Sequence, residues 1–470
     1  MLEEQKRKLR ITFAGGAGSV TGANFLVEDV LSDGTVNFSF LVDCGLIQNS
    51  SHADPANWRT WPYDAKKVDV LLVTHAHTDH IGRIPRLLYE GFQGKIISTH
   101  PTKDLADVML EDTIHIMSHD HGHHIEKMYT EENKKKALSY WTSYEYHQRF
   151  NISEDITAEF YDSGHILGSA MIKIYFGNST ILFTGDLGNS PSPLLPDTEK
   201  VEGVDYMVME SVYGDRNHED RDERRKKLEE VIENNYTNKG TLVIPTFSLE
   251  RTQELLFEIN SFVEGNRIPK MPIYVDSPLA IRVTDVFEKN IKYFKEDVKD
   301  QILKGDNIFS FTGLRETLAT EESKHILKTQ NPKIIISASG MSTGGRVIHH
   351  EKNYLPGKEN TLLITGYQSA GSLGRKLEEG AKSVFIMREE VPVHAKIEKI
   401  KGYSGHKDSD HLLEFVDGMV DTLKSVYVVM GETKASLRLV QRIREYLGIR
   451  AFSPEENEVL EIDFYKTKTK

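Results

Sequence analysis

The chain has 470 residues, 39% hydrophobic and 27% charged, enough for two or three domains with sizeable cores. It has no apolar run of about eighteen residues, so no membrane span is expected, and MLEEQKRKLRITF at the start has charge but lacks the apolar core of a secretion signal. A formal net charge of −13 argues against broad, sequence-blind binding to long nucleic acid, and the single cysteine, Cys44, excludes an internal disulfide framework and fits a reducing cytoplasm.

Residues 10–45 read as hairpin strands, with RITFAGGAGSVTGANFLVED followed by GTVNFSFLVDCG. The glycines at 15, 16, 18 and 22 mark a tight loop that lacks the Lys-Ser/Thr of a P-loop, so it reads as turn chemistry. KKVDVLLVT, residues 66–74, has the pattern of a buried strand, and IGRIPRLLYEG, residues 81–91, has apolar residues at helical spacing. Residues 104–150 read as helical and very polar, and residues 156–190 return to strands. From about 209, helical stretches alternate with short apolar strands (GTLVIPTF, MPIYVDSPL, PKIIISAS, NTLLITGY), which predicts a parallel sheet wrapped by helices. After about 383 strand-like segments resume, and SLRLVQRIREYLG reads as a terminal helix.

Between the strand at 66–74 and the helix at 81–91 lies HAHTDH, with His75, His77, Asp79 and His80 on one loop. Imidazole suits zinc and neighbouring transition metals, and carboxylate adds negative charge. Four ligands from one loop at this spacing can serve two ions, and the pattern is too specific for a solvated turn. A second histidine-dense stretch, His115, His119, His121, His123 and His124, has no shaped set of acidic or thiol partners and reads as a solvated polar helix and loop ahead of an accessory metal or RNA site.

HAHTDHIG resembles the signature of the metallo-β-lactamase fold. DSGHILGSA, TGDLGN, ESVYGDR, PTFSLERTQELL, VDSPLA, SASGMSTGGRVIHH and GYSGHKD follow in the order found in the β-CASP branch, which contains metal-dependent nucleases including RNase J and the cleavage subunit of mRNA 3′-end processing. The resemblance spans about residues 10–440. It implies an α/β fold: a four-layer αβ/βα sandwich, residues 1–208 and 383–470, interrupted by a β-CASP α/β domain at 209–382. It also implies a chain without the added N-terminal RNA-binding domains of some archaeal members or the long C-terminal extension of RNase J.

Carried over position by position, the resemblance gives one zinc to His75, His77 and His165, a second to Asp79 and His80, and makes Asp186 the bridge. Asp43 would orient the cluster. His406 would protonate the leaving ribose oxygen and Glu210 would orient or tune it, leaving 5′-phosphate and 3′-hydroxyl ends. Taken alone, His165 also reads as a core histidine, Asp43 as a turn cap and His406 as a surface loop residue. Ser337, Ser339, Gly340, Ser342 and Arg346, after an apolar strand, could present N–H groups and a positive charge to phosphate, or simply form a strand-to-helix turn.

One position departs from the pattern. VVMGE, residues 428–432, has Met430 where RNA-processing members have a ligand histidine. Thioether is a poor zinc ligand in such a site, so the second zinc is expected to be weaker, with manganese an alternative. The leading expectation is a cytoplasmic zinc-dependent ribonuclease on single-stranded RNA, endonucleolytic or 5′-exonucleolytic, with DNA left open by the change at Met430. The competing expectations are a non-catalytic RNA-binding subunit and a small-molecule hydrolase on the same metal core. Homodimers are common in the prokaryotic branch, but nothing in the sequence fixes one here.

Overall fold

The computed structural model describes residues 4–48, 54–117, 125–218, 221–369 and 371–467. It divides into two compact units, the first made of residues 1–192, 196–217 and 406–470, the second of 193–195 and 218–405.

The first unit is built on two seven-stranded sheets. One runs in the order Val459–Thr467, Glu4–Gly15, Asn24–Val30, Val36–Val42, Val70–Leu72, Lys95–Ser98, Trp141–Ser143. The other runs Arg450–Phe452, Ser425–Val428, Tyr206–Met209, Ser179–Phe183, Ala170–Phe176, Ile156–Asp162, Phe150–Asn151. Period-two patterning decides which side chains meet: in Ile156–Asp162 the residues Ile156, Ala158 and Phe160 are buried while Thr157, Glu159 and Tyr161 are less so. The inward set joins Leu9, Ile11, Phe13, Phe25, Phe40 and Val42 from the other sheet in one apolar core.

The outer faces are covered by helices. Ser409–Asp417 and Thr433–Arg442 place Leu412, Val416, Leu439 and Val440 against Met207, Met209, Val426 and Val428. Ile84–Tyr89 and His100–Met117 belong to the first sheet's side, and Ile114 and Met117 pack with Leu46, Ile125 and Tyr129. The layers are therefore αβ/βα. Helix in the polar stretch ends at Ser139, and Trp141–Ser143 and Phe150–Asn151 are edge strands instead of the helix expected up to 150. Their aromatic residues are claimed by the core: Phe150 is buried and stacks on Tyr144 at 4.2 Å.

The second unit holds a six-stranded sheet in the order Leu314–Glu316, Ile273–Val275, Lys333–Ser337, Thr241–Pro245, Thr361–Ile364, Lys396–Lys399. All neighbours are parallel. The inner strands are buried along their whole length, as expected of a parallel sheet covered on both faces. This unit ends at Gly405, not at 382. Lys396–Lys399 pairs with Thr361–Ile364, and Val384, Ile386 and Val391 of the preceding hairpin pack against Leu362, Ile364 and Leu377.

Inside the second unit, Glu351 is fully buried, and burial pushes its carboxyl up to about 7 from 4.5. Its one hydrogen bond is the Ser342 hydroxyl, and the second carboxyl oxygen has no partner. The unfolded chain releases this proton near 4.5 and the folded chain near 7, so stability present at acid pH is lost as pH rises across that window. Glu351→Gln is expected to unfold at a denaturant midpoint similar to the parent at pH 4.5, and to be more stable by about 3 kcal/mol at pH 8.5. Equal gains at both pH values would show that the carboxyl is not the cause.

Candidate metal centre

Strand Val36–Val42 delivers Asp43, and strand Val70–Leu72 delivers Thr74 and the histidine loop. Asp43 holds the two together. Its carboxylate accepts from the Thr74 N–H at 2.8 Å, the Thr74 hydroxyl at 2.8 Å and His80 Nδ1 at 2.7 Å. The backbones interlock as well: Cys44 N–H donates to His80 O, Leu46 N–H to Thr78 O, and Ala23 N–H to Asp79 O. Gly45 sits inside this weave, where a Cβ would come within 1.5 Å of Asp79 O, so no other residue fits. Asp79 and His80 lie in the short helical turn Thr78–Ile81 and not on an extended loop.

Two further loops close the site. Ser169 Oγ accepts from the N–H groups of His165 and Ile166, both at 3.1 Å, and so shapes the turn that aims His165. Asp186 follows strand Ser179–Phe183. Two residues on, Gly188 N–H donates to Ser163 O, and a Cβ on Gly188 would lie 1.8 Å from Gly164 O. The two loops touch backbone to backbone only because glycine stands there.

Four ligand atoms converge. His77 Nδ1 lies 3.1 Å from His75 Nε2 and 3.2 Å from His165 Nε2. Asp186 Oδ2 lies 3.5 Å from His75 Nε2 and 3.6 Å from His165 Nε2. A tetrahedral zinc with ligands at about 2.0–2.1 Å has ligand–ligand edges of about 3.3–3.4 Å, so this set fits such an ion. One proton on His77 Nδ1 can satisfy only one of its two imidazole neighbours, whereas a cation satisfies all four groups. Burial, aided by neighbouring imidazoles, holds His75 and His77 well below the usual histidine range, which leaves neutral rings with lone pairs to offer.

A second position adjoins it. His80 Nε2 and Asp186 Oδ1 are 3.4 Å apart, both buried and both without a hydrogen-bond partner. Asp79 Oδ2 is 3.9 Å from His80 Nε2, and burial raises the Asp79 carboxyl to about 6. With Nδ1–H given to Asp43, a neutral His80 turns a lone pair at Nε2 toward Asp186 Oδ1, and two buried acceptors facing each other call for a cation. For His80 burial alone would lower its pKa, but Asp186 and Asp43 outweigh it and raise the ring well above the usual range. Met430 gives this position nothing visible. It is buried in the apolar core, its N–H donates to Gly16 O, and its Sδ packs so closely on Gly16 that a Cβ there would lie at 2.5 Å.

His406 and Glu210 complete the site. Glu210 Oε1 lies 3.1 Å from His406 Nδ1 and also accepts the Leu187 N–H at 2.6 Å, while Oε2 accepts the Val212 N–H at 3.2 Å. His406 stacks toward His165 with centroids 4.7 Å apart, and its Nδ1 is 3.9 Å from Asp186 Oδ2. Burial disfavours a charged His406, but Glu210, Asp186 and Asp79 overcome it and bring the ring to about 9, so it is protonated at neutral pH. Burial raises the Glu210 carboxyl above its ordinary range, while His406 and the Leu187 N–H act against that shift and favour the proton on the histidine.

The remaining sequence candidates are in other places. Ser337, Ser339, Gly340, Ser342 and Arg346 belong to the second unit. Ser337 donates to Asp276 O at 2.8 Å, Ser342 donates to Glu351, and Arg346 is spent on Asp276 Oδ1 at 2.7 Å and on the carbonyls of Thr317 and Leu318. Asp276, in VDSPLA, also accepts from Thr317, Ser323 and His350, a structural hub with no signal in the sequence beyond its quoted motif. His115 is exposed on helix His100–Met117, and His119, His121, His123 and His124 lie outside the described residues. Thr74 and Ser169 were missed: both act by hydrogen bonding to ligands or their backbone, and only their adjacency to His75 and His165 could have drawn attention to them.

Comparison with known proteins gives the same architecture. Residues 31–202 match a metallo-beta-lactamase superfamily domain, 252–377 a Beta-Casp domain, and 390–454 a Zn-dependent metallo-hydrolase RNA specificity domain. A ribonuclease of Thermus thermophilus is 35% identical over 92% of this chain and 95% of its own length. An RNase J-like protein of Methanocaldococcus jannaschii is 33% identical over 90% and 94%. The transcription termination factor FttA of Thermococcus kodakarensis is 29% identical over 98% of this chain and 72% of its own. A solved protein of unknown function from Enterococcus faecalis shares the fold at a TM-score of 0.57 and 12% identity, covering 97% of this chain and all of that one. With this histidine–aspartate cluster at its centre, the chain belongs to the β-CASP branch of the metallo-β-lactamase superfamily and is a metal-dependent hydrolase of the nuclease kind.

Proposed function

We propose that the chain is a zinc-dependent ribonuclease that hydrolyses phosphodiester bonds of single-stranded RNA. The observation that carries this reading is the sharing of Asp186 between the His75–His77–His165 cluster and the Glu210–His406 pair, which sets a proton donor beside the ligand set. A metal at each of the two positions would lower the pKa of water toward neutrality and offset charge on the phosphate oxygens. Asp79, at the more open edge, accepts a proton from the attacking water. His406 donates its proton to the departing ribose oxygen, and Glu210 keeps that proton on the ring and the ring in line. The products carry 5′-phosphate and 3′-hydroxyl ends.

The relatives named as a ribonuclease and an RNase J-like protein support RNA as substrate. The Glu210–His406 pair argues against a small-molecule hydrolase, which needs no donor for a ribose oxygen. Met430 favours one alternative, a non-catalytic RNA-binding subunit, because the second position has three protein ligands, one of them shared.

The test uses 5′-labelled single-stranded RNA and DNA of one sequence, with added zinc or manganese. Wild type is expected to cleave RNA, and EDTA to abolish cleavage. His406→Ala should lower kcat by about 10²–10⁴-fold with metal content unchanged. Asp79→Ala should lose cleavage and the second metal together. Absence of cleavage by folded, metal-loaded wild type would transfer the reading to the non-catalytic subunit.

The ligand sets also predict unequal sites. Titration of the metal-free protein with zinc, followed by calorimetry, should resolve one tight and one weak equivalent, and Asp79→Ala should remove only the weak one. Two equally tight equivalents in wild type would sink the asymmetry.

A further inference from the structure

We propose that Phe247 is a stacking platform for one unpaired nucleobase, at the carboxyl end of the second unit's parallel sheet. The proposal rests on the reading that RNA is the substrate, and names a contact beyond the catalytic site.

Of the chain's 20 phenylalanines, those exposed among the described residues are Phe247, Phe385 and Phe452. Phe452 stacks on Tyr427 at 5.6 Å, and Phe385 stands on a two-stranded hairpin. Phe247 is 40% exposed in a different setting. It follows Thr241–Pro245, which lies between Lys333–Ser337 and Thr361–Ile364 in the sheet. The loops after those two flanking strands each put a glycine against the Phe247 ring. A Cβ on Gly340 would meet the ring at 2.9 Å, and one on Gly366 at 3.2 Å. Glycine at both positions lets the ring lie against the two loops without losing its outer face.

The ring is also held. Phe247 O accepts from the Thr252 hydroxyl at 2.8 Å, and Thr246 N–H donates to Ser337 O at 2.9 Å. Gln368, 2% exposed, ties the bordering loops to each other by donating to Gly340 O at 2.9 Å and Gly366 O at 3.2 Å. A platform preorganised in this way loses little entropy on binding. The buried hydroxyl of Thr365, beside Gly366, has no hydrogen-bond partner. An apolar face on a fixed ring beside polar loops suits a flat heteroaromatic ligand better than an aliphatic one.

Topology points to the same place. The chain leaves Thr241–Pro245 toward Ile273–Val275 on one side of the sheet order, and leaves Thr361–Ile364 toward Lys396–Lys399 on the other. Adjacent strands whose connections diverge make a crevice at their carboxyl ends, where open α/β sheets bind ligands. Phe247 and Gly366 follow the two strands at that point. PTFSLERTQELL, for which catalysis gives no role, thereby supplies the ring and the helix Arg251–Glu264 that begins just after it.

The test uses RNA oligomers with one 2-aminopurine placed at successive positions, bound to the cleavage-deficient Asp79→Ala protein. Quenching at one position, lost with Phe247→Leu and Phe247→Ala and retained with Phe247→Trp, is the expected result. Affinity should fall about 5- to 150-fold with Phe247→Ala. An abasic nucleotide at the quenched position should weaken binding to the Phe247-containing protein and cost nothing further in Phe247→Ala. If wild type cleaves RNA but the leucine and alanine variants bind as tightly as their parent, with no position quenched, the platform is wrong and the ribonuclease reading stands. If wild type neither binds nor cleaves RNA, both fall.

Discussion

The centre of the first unit depends on one buried carboxylate. Asp186 is 3% exposed and faces imidazole nitrogens of His75, His80, His165 and His406 at 3.4–3.9 Å. None of these approaches is a good hydrogen bond, and Oδ1, 3.4 Å from His80 Nε2, has no hydrogen-bond partner. A carboxylate in so dry a place needs compensating positive charge; with His75 and His77 neutral, it comes from His80 and His406, or from a cation bound among the same nitrogens. The surrounding protein makes sense as the frame that keeps this charge demand fixed. Asp43 pins the histidine loop, Ser169 pins the His165 turn, and Gly45 and Gly188 each let a pair of loops approach backbone to backbone. The two sheets beneath bury their inward faces in a common core, so the loop ends cannot drift independently.

The same carboxylate joins binding to proton transfer. Glu210 does not touch the histidine cluster; it holds His406, and His406 lies against both Asp186 and the His165 ring. Glu210 is fixed by the N–H of Leu187, the residue next to Asp186. A shift of the Asp186 loop would therefore move ligand, donor and the donor's support as one body. This linkage explains why an acidic residue after strand Tyr206–Met209 and a histidine almost two hundred positions later serve one site.

What the sequence disclosed followed from how local the signal was. HAHTDH is legible because two His-x-His and Asp-His pairs on one loop have no ordinary structural use. The αβ/βα layering came through the resemblance that the ordered motifs carry, the helix Ser409–Asp417 was passed over, and strands such as Ile156–Asp162 are legible from their period-two pattern. The end of the second unit was not, because KIEK at 396–399 is polar and becomes a strand only by pairing with Thr361–Ile364. Edge strands at 141–151 were hidden in the same way, among polar residues whose few aromatics are recruited by a distant core. The Ser-Gly loop at 337–346 had a legible composition, yet the partners of Ser337, Ser342 and Arg346 come from Asp276, Glu351 and the 317–318 carbonyls, which no spacing announces.

Met430, which stands where the resemblance would put a ligand histidine, is a packing residue. Its N–H donates to Gly16 O and so holds this loop beside the first sheet, and its positive φ of 46° is tolerated there although a long side chain does not favour that conformation. The thioether then fills the space against Gly16 and Phe25, within the core and not toward the carboxylates. A methionine in such a place contributes apolar burial, which a histidine would give up in order to reach a metal. Its burial leaves the His75–His77–His165–Asp186 set intact and adds no ligand atom beside Asp79, His80 and Asp186. The Glu210–His406 pair is anchored on Asp186 and Leu187, so the packing of Met430 into the core leaves the support of the proton donor in place.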